Sequence, residues 1–418
     1  MAPIVRKYGG SSLATVGHVR RVADAVALAH RQRGPLVVVV SAMGDTTDEL
    51  LSLVDEAGGS RTERETDQLL ATGETVSAAV LSTVLGSLGV PAVSLTGAQA
   101  GIRARGKHGE GLIEAVDTRR VLATLHSGRT AVVTGFQGVD RDGDTVTLGR
   151  GGSDTTAVAL AATLGADRCE IHTDVDGVLT ADPRLVGDAR VLPVVDSGVL
   201  TEMAFSGAKV LHSRAVELAA LHGVEVHVRS TVPRGHGTVV PPGAATTPSV
   251  DGLVAIAHDR NVAHVLLDFE RDSPGGVPDV FAVLAENAIP VDMVARSMPE
   301  EPAVKVGFTI RFTDVDEVDG VLRSRFAKLG ARVRIDTRVG RVSLIGDRPA
   351  GSARHAARLL PILSAADVPV SWLAVSPLNT AVLLPADRLG DIVRLLHDQF
   401  RLGRQPEAPP APRSLSHA

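Results

Sequence analysis

The chain has 418 residues, 44% of them hydrophobic and 22% charged, so it can bury large cores and is expected to divide into two or three domains. Its net charge of -5 and its 2% of aromatic residues argue against nucleic acid as a partner, because basic surface and stacking side chains are both scarce. The single cysteine, Cys169, excludes an internal disulfide framework and a cysteine-based metal site, and it predicts a reducing compartment, the cytoplasm.

The N-terminus runs from Met1 directly into a charged and polar segment. No run approaches the roughly eighteen apolar residues that a membrane span needs, so neither export nor a membrane partner is expected. The first half of the chain then alternates short β-branched runs with longer stretches of helical periodicity. The strands are predicted at 34–44, 91–97, 129–138, 169–177 and 224–230, and the helices at 19–32, 75–89, 155–166 and 213–223.

This alternation predicts an α/β fold with a mostly parallel sheet covered by helices on both faces. In such sheets ligands bind beyond the carboxyl ends of the strands, where the Gly, Ser, Thr and Asp clusters of this chain fall. A Pro-, Gly- and Thr-rich linker at 231–252 ends the pattern. Two copies of a strand-turn-helix-strand unit follow at 262–297 and 341–376, which predicts two small α+β domains, and the Pro-rich tail is expected to be disordered.

The first candidate site is the stretch "VRKYGGSS" at 5–12. Lys7 precedes Gly9 and Gly10, which free the backbone to approach a ligand, and Ser11 and Ser12 are candidate caps for a helix that begins near Leu13. Backbone N–H groups, a helix N-terminus and an ammonium suit an anion such as phosphate. An ordinary strand-turn-helix junction explains the same residues equally well.

The second cluster, "TLGRGGSDTTAVAL" at 147–160, places three glycines before Ser153 and Asp154 at the start of an apolar helix. It predicts another anion-binding helix start. Asp154 alone reads as a helix cap. Arg150 inside the glycine run favours a functional site, because its planar fork suits a carboxylate.

A third cluster, "IHTDVDGVLTADPRL" at 171–185, follows a predicted strand. Asp176-Gly177 is interpreted as turn chemistry, and the spacing does not fit a calcium loop. Two more segments are weaker signals: "ATGETVSAAV" puts Glu74 in the first turn of a helix, where a carboxylate is favoured anyway, and Lys209 lies near a helix start. The better site candidates from the third cluster are Asp174, Asp182 and Arg184.

The sequence lacks the P-loop, protein-kinase, dinucleotide-binding and nucleophile-elbow motifs. Several glycine-rich anion sites without a nucleophile-base pair favour phosphoryl transfer, where positioning and charge neutralisation supply most of the catalysis. From the residues alone we therefore predict a small-molecule kinase that acts on an acidic substrate.

The motifs together closely resemble the aspartate kinases, in the order of that family and over residues 1 to about 240. They are "KYGGSS", "VVVVSAMGDTTDEL", "TGETVSAAVL", "SLTGAQAGI", "GFQGV", "TLGRGGSDTTAVALAATLGAD", "TDVDGVLTADPR" and "GAKVLHSRAVELA". The repeat that follows resembles the family's paired ACT regulatory domains. The expected organisation is a catalytic domain at 1–245, ACT domains at 250–335 and 336–403, and a tail at 404–418.

The resemblance implies the amino-acid kinase fold, a three-layer α/β/α sandwich, and an enzyme that transfers the γ-phosphoryl of ATP, bound with Mg²⁺, to the side-chain carboxylate of L-aspartate. The product, 4-phospho-L-aspartate, leads to lysine, threonine, methionine and isoleucine. Glutamate 5-kinase and acetylglutamate kinase share the fold and reaction type, and "GRGGSDTTA" and "TGETVSAA" favour aspartate. An alternative of a different functional class is an amino-acid sensor with a degenerate kinase half. The kinase motifs are all intact, which argues against this alternative.

Site roles follow from the resemblance motif by motif. Lys7 is expected to neutralise the transferring phosphoryl group, helped by the amides of Gly9 and Gly10, with Asp154 organising the lysine. Arg150 is expected to bind the α-carboxylate of aspartate and Glu74 its α-ammonium. Ser41, Thr47 and Ser153 would orient substrate or phosphate, and Thr173, Asp174, Asp182, Arg184 and Lys209 would hold nucleotide; no metal ligand of the protein's own is expected.

The regulatory half departs from the family pattern. The segment "DMVARSMP" has Arg296 and Ser297 where relatives commonly have Gln and Asn, and Pro377 stands in the second unit where a Ser-Glu pair is usual. Asp272 and Asp292 are retained, so an effector pocket formed with Arg296 is expected. We expect weakened or altered inhibition by lysine or threonine. A homo-oligomer, dimer or tetramer, joined through the ACT domains is also expected.

Overall fold

The computed structural model describes residues 3–61, 63–208, 210–232, 235–270, 276–287, 289–297, 303–326, 331–347 and 352–404. They form two compact units. Unit 1 contains the described residues of 3–179, 191–204 and 210–248. Unit 2 contains 180–190, 205–208 and the described residues from 249 to 404.

The first 240 residues carry two sheets. Their strands are β1 (Ile4–Tyr8), β2 (Val37–Val40), β3 (Ala92–Leu95), β4 (Ile102–Arg105), β5 (Leu112–Val116), β6 (Thr130–Thr134), β7 (Gln137–Val139), β8 (Thr145–Thr147), β9 (Arg168–Thr173), β10 (Val226–Ser230) and β11 (Thr238–Val240). The larger sheet has the order β11-β10-β9-β1-β2-β6-β3, and all its pairs are parallel except β10 with β11. The smaller sheet has the order β5-β4-β7-β8. The predicted parallel α/β fold is confirmed.

The helices of this region are α1 (Gly10–Leu13), α2 (Val16–Arg33), α3 (Thr46–Glu56), α4 (Arg64–Ser87), α5 (Arg119–His126), α6 (Gly152–Leu164), α7 (Ser197–Phe205) and α8 (Ser213–His222). In one core, Val38 and Val40 of β2 pack with apolar residues of α2 and α4. The alternate residues Val37 and Val39 are also fully buried, so the opposite face of the sheet is covered as well. This burial explains why the strands are continuous valine runs.

The start of the helical region differs from the sequence prediction. Instead of one helix from Leu13 capped by Ser11 or Ser12, the chain forms the single turn α1 and then α2, which Thr15 caps by accepting a hydrogen bond from the His18 amide at 3.3 Å. Ser12 points elsewhere, because its hydroxyl lies 2.6 Å from that of Thr231. The tight turn at Gly9 and Gly10 thus forms its own short element.

Among the described residues, one helix, α4, is long and apolar enough to cross a membrane, and 44% of its most apolar window is buried. Asp67 and Glu74 of this helix are buried in unit 1. A buried pair of carboxyl groups that contact loops of the same unit is typical of a core helix of a globular domain.

The C-terminal repeat forms two further four-stranded sheets. Its elements are β12 (Leu253–Asp259), β13 (Ala263–Glu270), α9 (Gly276–Glu286), β14 (Asp292–Arg296), β15 (Ala303–Ile310), α10 (Val315–Phe326), β16 (Arg332–Asp336), β17 (Val339–Gly346), α11 (Ser352–Ala365), β18 (Trp372–Val375), β19 (Asn379–Pro385) and α12 (Leu389–Gln399). The sheet orders are β14-β15-β13-β16 and β12-β17-β19-β18, and all their pairs are antiparallel. This arrangement fits two ACT-type α+β folds.

The division of strands between these sheets differs from the expected boundary near residue 335. Strand β12 precedes the first repeat, yet it pairs with β17 of the second, from Leu253 opposite Gly346 to Asp259 opposite Arg341. The second repeat supplies only β17, β18 and β19, and β12 takes the edge position that β16 has in the first sheet. The 250–335 segment is therefore not a self-contained sheet.

Candidate active site

The carboxyl ends of β1, β2, β6 and β9 lie at one edge of the large sheet, as parallel pairing requires. Three backbone hydrogen bonds hold the segments that leave this edge. The Ser41 amide donates to the Tyr8 carbonyl at 3.1 Å, the Gly135 amide to Val40 at 2.9 Å and the Gly9 amide to His172 at 3.3 Å. The candidate site is built from side chains that follow these strand ends.

Lys7 and Asp154 form the central ion pair. Lys7 lies near the end of β1, and Asp154 lies in the first turn of α6, with 2.7 Å between the Nζ atom and Oδ1. Their side chains are only 13% and 10% exposed. The sequence placed the two residues in separate clusters 147 positions apart, and the fold brings them together. The pair fixes a lysine ammonium beside the positive end of a helix dipole, where an anion is favoured.

The glycine run before α6 contains two residues with a left-handed backbone. Gly149 and Gly151 both have φ of 70°, in the left-handed region that favours glycine. A Cβ atom on Gly151 would lie 2.2 Å from the Cβ of His212, which caps the start of α8. The run carries Arg150 to an exposed position and buries Ser153 at the start of α6.

Glu74 does not lie in the first turn of a helix, as the sequence suggested, but is the eleventh residue of α4. The apolar pattern that begins at residue 75 hid the preceding three turns of this helix, residues 64–74. The Glu74 carboxyl is 3% exposed, accepts the Ala42 amide on Oε1 at 2.9 Å, and has a buried Oε2 without a protein partner among the described residues. Burial raises its pKa to about 7.

Close packing sets the position of Glu74. A Cβ atom on the neighbouring Gly73 would lie 2.9 Å from the Cβ of Ala42, so this glycine lets α4 approach the loop that follows β2. A buried oxygen without a hydrogen bond lowers the stability of the folded chain, so the Oε2 atom is suited to accept a hydrogen bond from a bound ligand. Ser41 precedes this loop and Thr47 follows it in α3.

The phosphate-cradle residues are partly engaged. The Gly9 amide already donates to His172, so in this structure it is not available to an anion as the sequence predicted. Gly10 is the first residue of α1, so its N–H has no acceptor within the helix. A Cβ there would lie 2.9 Å from the Ala42 carbonyl oxygen, so only glycine fits.

The predicted nucleotide residues divide between the two units. Thr173 and Asp174 follow β9 in unit 1, where the Thr173 hydroxyl donates to the Asp174 carboxylate at 3.0 Å and the Thr173 carbonyl accepts from the Thr231 amide at 2.9 Å. Asp182 and Arg184 belong to unit 2 and bind each other, with Nη2 and Oδ2 2.7 Å apart. That pairing lowers the pKa of Asp182. Lys209 lies outside the described residues.

A buried carboxylate network below Lys7 escaped sequence reasoning. Glu170 of β9 is paired with Arg6 and Arg168, each at 2.7 Å, and lies 3.4 Å from His172. Although burial opposes its ionisation, the hydrogen bond from His172 and the charge of Arg6 hold the pKa of Glu170 well below its usual range. Beside this network the Tyr8 ring stacks on His172 with centroids 4.7 Å apart. In the sequence, this network is indicated only by the alternation of polar and apolar residues along β9.

The predicted effector residues lie in unit 2. Asp292, on β14, binds Arg341 of β17 with 2.5 Å between Oδ2 and Nη1, and the Nη2 atom of Arg341 also donates to the Phe205 carbonyl and the Asp259 carboxylate. Arg296 is exposed at the end of β14. Asp272 lies outside the described residues. Arg341 therefore links the two ACT-type sheets through Asp292, a contact that no sequence motif indicated.

Comparison with known proteins identifies the family of the chain. The model of the amino acid kinase family matches residues 2–230. The aspartokinase of Mycobacterium tuberculosis is 42% identical over 419 residues, and that of Corynebacterium glutamicum is 39% identical over 416, each alignment covering 98% of both chains. E. coli aspartokinase III with aspartate and ADP superposes with a TM-score of 0.81 at 26% identity, covering 95% of this chain and 99% of that one. The chain therefore belongs to the aspartokinases of the amino acid kinase family.

Proposed function

We propose that the protein transfers the γ-phosphoryl group of MgATP to the side-chain carboxylate of L-aspartate and forms 4-phospho-L-aspartate and ADP. The observation that carries this function is the buried ion pair of Lys7 with Asp154 at the N-terminus of α6, at the ligand-binding edge of the parallel sheet. It supplies a fixed ammonium where a transferring phosphoryl group would need one.

In the proposed reaction an oxygen of the aspartate β-carboxylate attacks the γ-phosphorus, and the bond from phosphorus to the β,γ-bridging oxygen breaks. ADP leaves with the electron pair. The attacking carboxylate is ionised at neutral pH, so the step needs no general base. Lys7 neutralises the oxygens of the transferring group, and Asp154 holds the lysine in place through their 2.7 Å contact.

We assign recognition of the amino acid to Glu74 and Arg150. The free Oε2 of Glu74 is a buried acceptor for the α-ammonium, and the exposed guanidinium of Arg150 suits the α-carboxylate as a bidentate partner. Ser41, Thr47 and Ser153 orient substrate or phosphate from neighbouring loop and helix starts. The two charged contacts together distinguish an α-amino acid from a simple dicarboxylate.

Nucleotide binding is assigned in unit 1 to Gly10, Thr173 and Asp174, with Gly9 shaping the turn that presents Gly10. For Asp182, Arg184 and Lys209 nucleotide binding remains a prediction from the resemblance. The described residues contain no group of three or more His, Cys, Asp and Glu side chains placed to hold a metal ion. A carboxylate such as Asp154, together with ATP phosphates and water, is the ligand set that Mg²⁺ prefers, so the ion fits as part of MgATP. When bound, it would offset negative charge on the phosphates.

The organisation that accompanies this function is a catalytic domain within 1–245, from which residues 180–190 and 205–208 are excluded because they belong to unit 2. ACT domains at 250–335 and 336–403, with β12 contributed to the second sheet, and a tail at 404–418 complete it. Location in the cytoplasm fits a chain whose single cysteine is a buried thiol. We infer an ACT-joined homo-oligomer, dimer or tetramer. The T-state structure of E. coli aspartokinase III contains lysine, and we infer lysine or threonine as effector here, with altered inhibition because Arg296 departs from the family pattern.

Two alternatives are less well supported. Glutamate 5-kinase and acetylglutamate kinase share the reaction type, but the relatives with about 40% identity over the full chain are aspartokinases. An amino-acid sensor with a degenerate kinase half does not require a buried Lys7–Asp154 pair or an orphaned Glu74 oxygen, and both are retained.

The test is an ADP-release assay with aspartate, glutamate and N-acetylglutamate, each with and without lysine plus threonine. Hydroxylamine trapping of the acyl phosphate checks the product. We expect ADP and hydroxamate only with aspartate. Turnover with glutamate in place of aspartate would overturn the substrate, and no ATP-dependent hydroxamate with any of the three would overturn the kinase function.

A further inference from the structure

Asp67 is a buried carboxylate of α4 that lies outside every motif described above. It is fully buried and receives hydrogen bonds from the end of strand β8 and from a loop. The donors are the Thr147 amide at 2.8 Å, the Thr147 hydroxyl at 2.6 Å and the Gly109 amide at 3.0 Å, and the Nδ1 atom of His108 lies 3.0 Å away. Such complete pairing is what a carboxylate needs to remain buried.

Both segments that Asp67 holds support the glycine run that carries Arg150. Thr147 ends β8 and is followed, after one buried leucine, by Gly149. A Cβ on Gly149 would lie 3.0 Å from the carbonyl oxygen of Gly109, and the Gly111 amide donates to the Thr147 carbonyl at 2.8 Å. The backbone of the glycine run therefore packs against the loop that contains Gly109, and Asp67 binds this loop to α4.

The same face of α4 carries Glu74. Asp67 and Glu74 are seven residues apart, which is two helical turns or about 10 Å along the axis, so they project from one side of the helix. Between them the Ala71 carbonyl accepts a hydrogen bond from Gln137 at 2.9 Å, and Gln137 pairs with Thr147 across β7 and β8. A rigid helix thus joins the Glu74 carboxyl to the support of Arg150.

We propose that Asp67 is a positioning residue for aspartate recognition: it sets the separation between the Glu74 carboxylate and the Arg150 guanidinium, and so the fit of an α-amino acid between them. This role rests on the proposed function. The α-ammonium and α-carboxylate of an amino acid are attached to one carbon, so a small shift of one partner weakens both contacts at once. Nucleotide contacts assigned to Thr173 and Asp174 lie after β9 and do not depend on this support.

The test compares Asp67→Asn with the wild-type enzyme in steady-state assays that vary aspartate and ATP separately. The asparagine is isosteric, but it turns an NH₂ group toward donors and so displaces the loop. We expect the KM for aspartate to rise about tenfold or more while the KM for ATP changes less than about twofold. Thr147→Val, which removes one donor, should raise the KM for aspartate about threefold, and Thr147→Ser should restore it.

Two controls separate positioning from general destabilisation. Asp196→Asn changes another carboxylate of unit 1 that accepts backbone amides, from Gly198 at 2.8 Å and Ala245 at 3.0 Å, and should leave the KM for aspartate unchanged. The double variant Asp67→Asn/Arg150→Ala is compared with the single variant Arg150→Ala. Its kcat/KM for aspartate should be less than about twofold lower, because both substitutions act through the contact between Arg150 and aspartate.

An Asp67→Asn enzyme that loses kcat with both KM values unchanged would overturn the proposal, as would an effect that multiplies fully with that of Arg150→Ala. If Asp67→Asn does not fold, the Thr147→Val and Thr147→Ser pair decides the same question. A wild-type chain without aspartate-dependent turnover would overturn the proposed function itself, whereas an unchanged KM in an active variant overturns only the role of Asp67.

Discussion

Replacing Lys7 by alanine tests the centre of the site, and its effect on folding must be separated from its effect on turnover. The ammonium is 2.7 Å from Asp154, and both side chains are at most 13% exposed. Removing one partner of a buried ion pair leaves an uncompensated charge and costs about 3–5 kcal/mol. Because Asp154 keeps slight access to solvent, we expect Lys7→Ala to lower the free energy of unfolding by about 3 kcal/mol.

The effect on turnover has a different origin. A preorganised group that stabilises developing charge contributes roughly 10²–10³ in kcat, so Lys7→Ala should lower kcat by at least that factor. Lys7→Met/Asp154→Asn replaces both charges by neutral groups of similar size and should recover most of the lost stability while remaining inactive. Only the turnover loss should persist in the double variant.

The measurements are urea unfolding for stability and hydroxylamine trapping for turnover, both on the full chain. A Lys7→Ala enzyme with turnover within about tenfold of wild type would refute the assigned role of the lysine. If the double variant is no more stable than Lys7→Ala, the stranded carboxylate is not the source of the destabilisation.

Three further predictions concern variants at Glu74, Gly151 and His264. Because the pKa of Glu74 in the folded chain, about 7, exceeds its ordinary value of 4.5, the free energy of unfolding falls as the pH rises between these values. Glu74→Gln should therefore be up to about 3 kcal/mol more stable than the wild type at pH 8, as measured by urea unfolding. The variant should nevertheless bind aspartate poorly. In the wild type, the KM for aspartate should fall as pH rises through 7, and a flat profile would contradict this. Gly151→Ala, which combines positive φ with overlap on His212, should lose more than about 2 kcal/mol and most of kcat/KM for aspartate; wild-type kinetics would argue against a tight loop. Burial lowers the pKa of His264, so as the pH falls below 6.5 the unfolded chain binds a proton at this residue before the folded chain does, and the free energy of unfolding decreases. His264→Gln should make this decrease with falling pH less steep, whereas the exposed control His222→Gln should not. Equal pH dependence of stability in the two variants would exclude His264 as the cause.

The sequence indicated most of the candidate site residues because they fall within continuous motifs. Lys7, Asp154 and Arg150 each follow or start an element in a glycine-rich segment, and parallel strands bring such segments to one edge. The motif indicated Glu74 as a candidate, but the predicted place of this residue in its helix was wrong, since polar residues before position 75 masked three helical turns. Asp67 was missed because a single carboxylate in a polar helix start carries no local signal of its burial.

In the regulatory half, the repeat predicted two α+β units, but not how strands are shared between them. The apolar run of β12 fits a strand of either unit, and only long-range pairing with β17 assigns it to the second sheet. The contact of Arg341 with Asp292 likewise joins residues 49 positions apart on different sheets. Strand partners and ion-pair partners depend on register in three dimensions, which local patterning does not encode.

By itself, the sequence determined the parallel α/β class, the repeated C-terminal units and the segments that hold the chemical groups, because hydrophobic period and glycine placement are local properties. The tertiary structure alone decided which of these groups meet. It paired Lys7 with Asp154, left Glu74 Oε2 free and fixed Asp67 beneath the run that carries Arg150. Burial and distance create those relations, since the same side chains in water would have no defined partners.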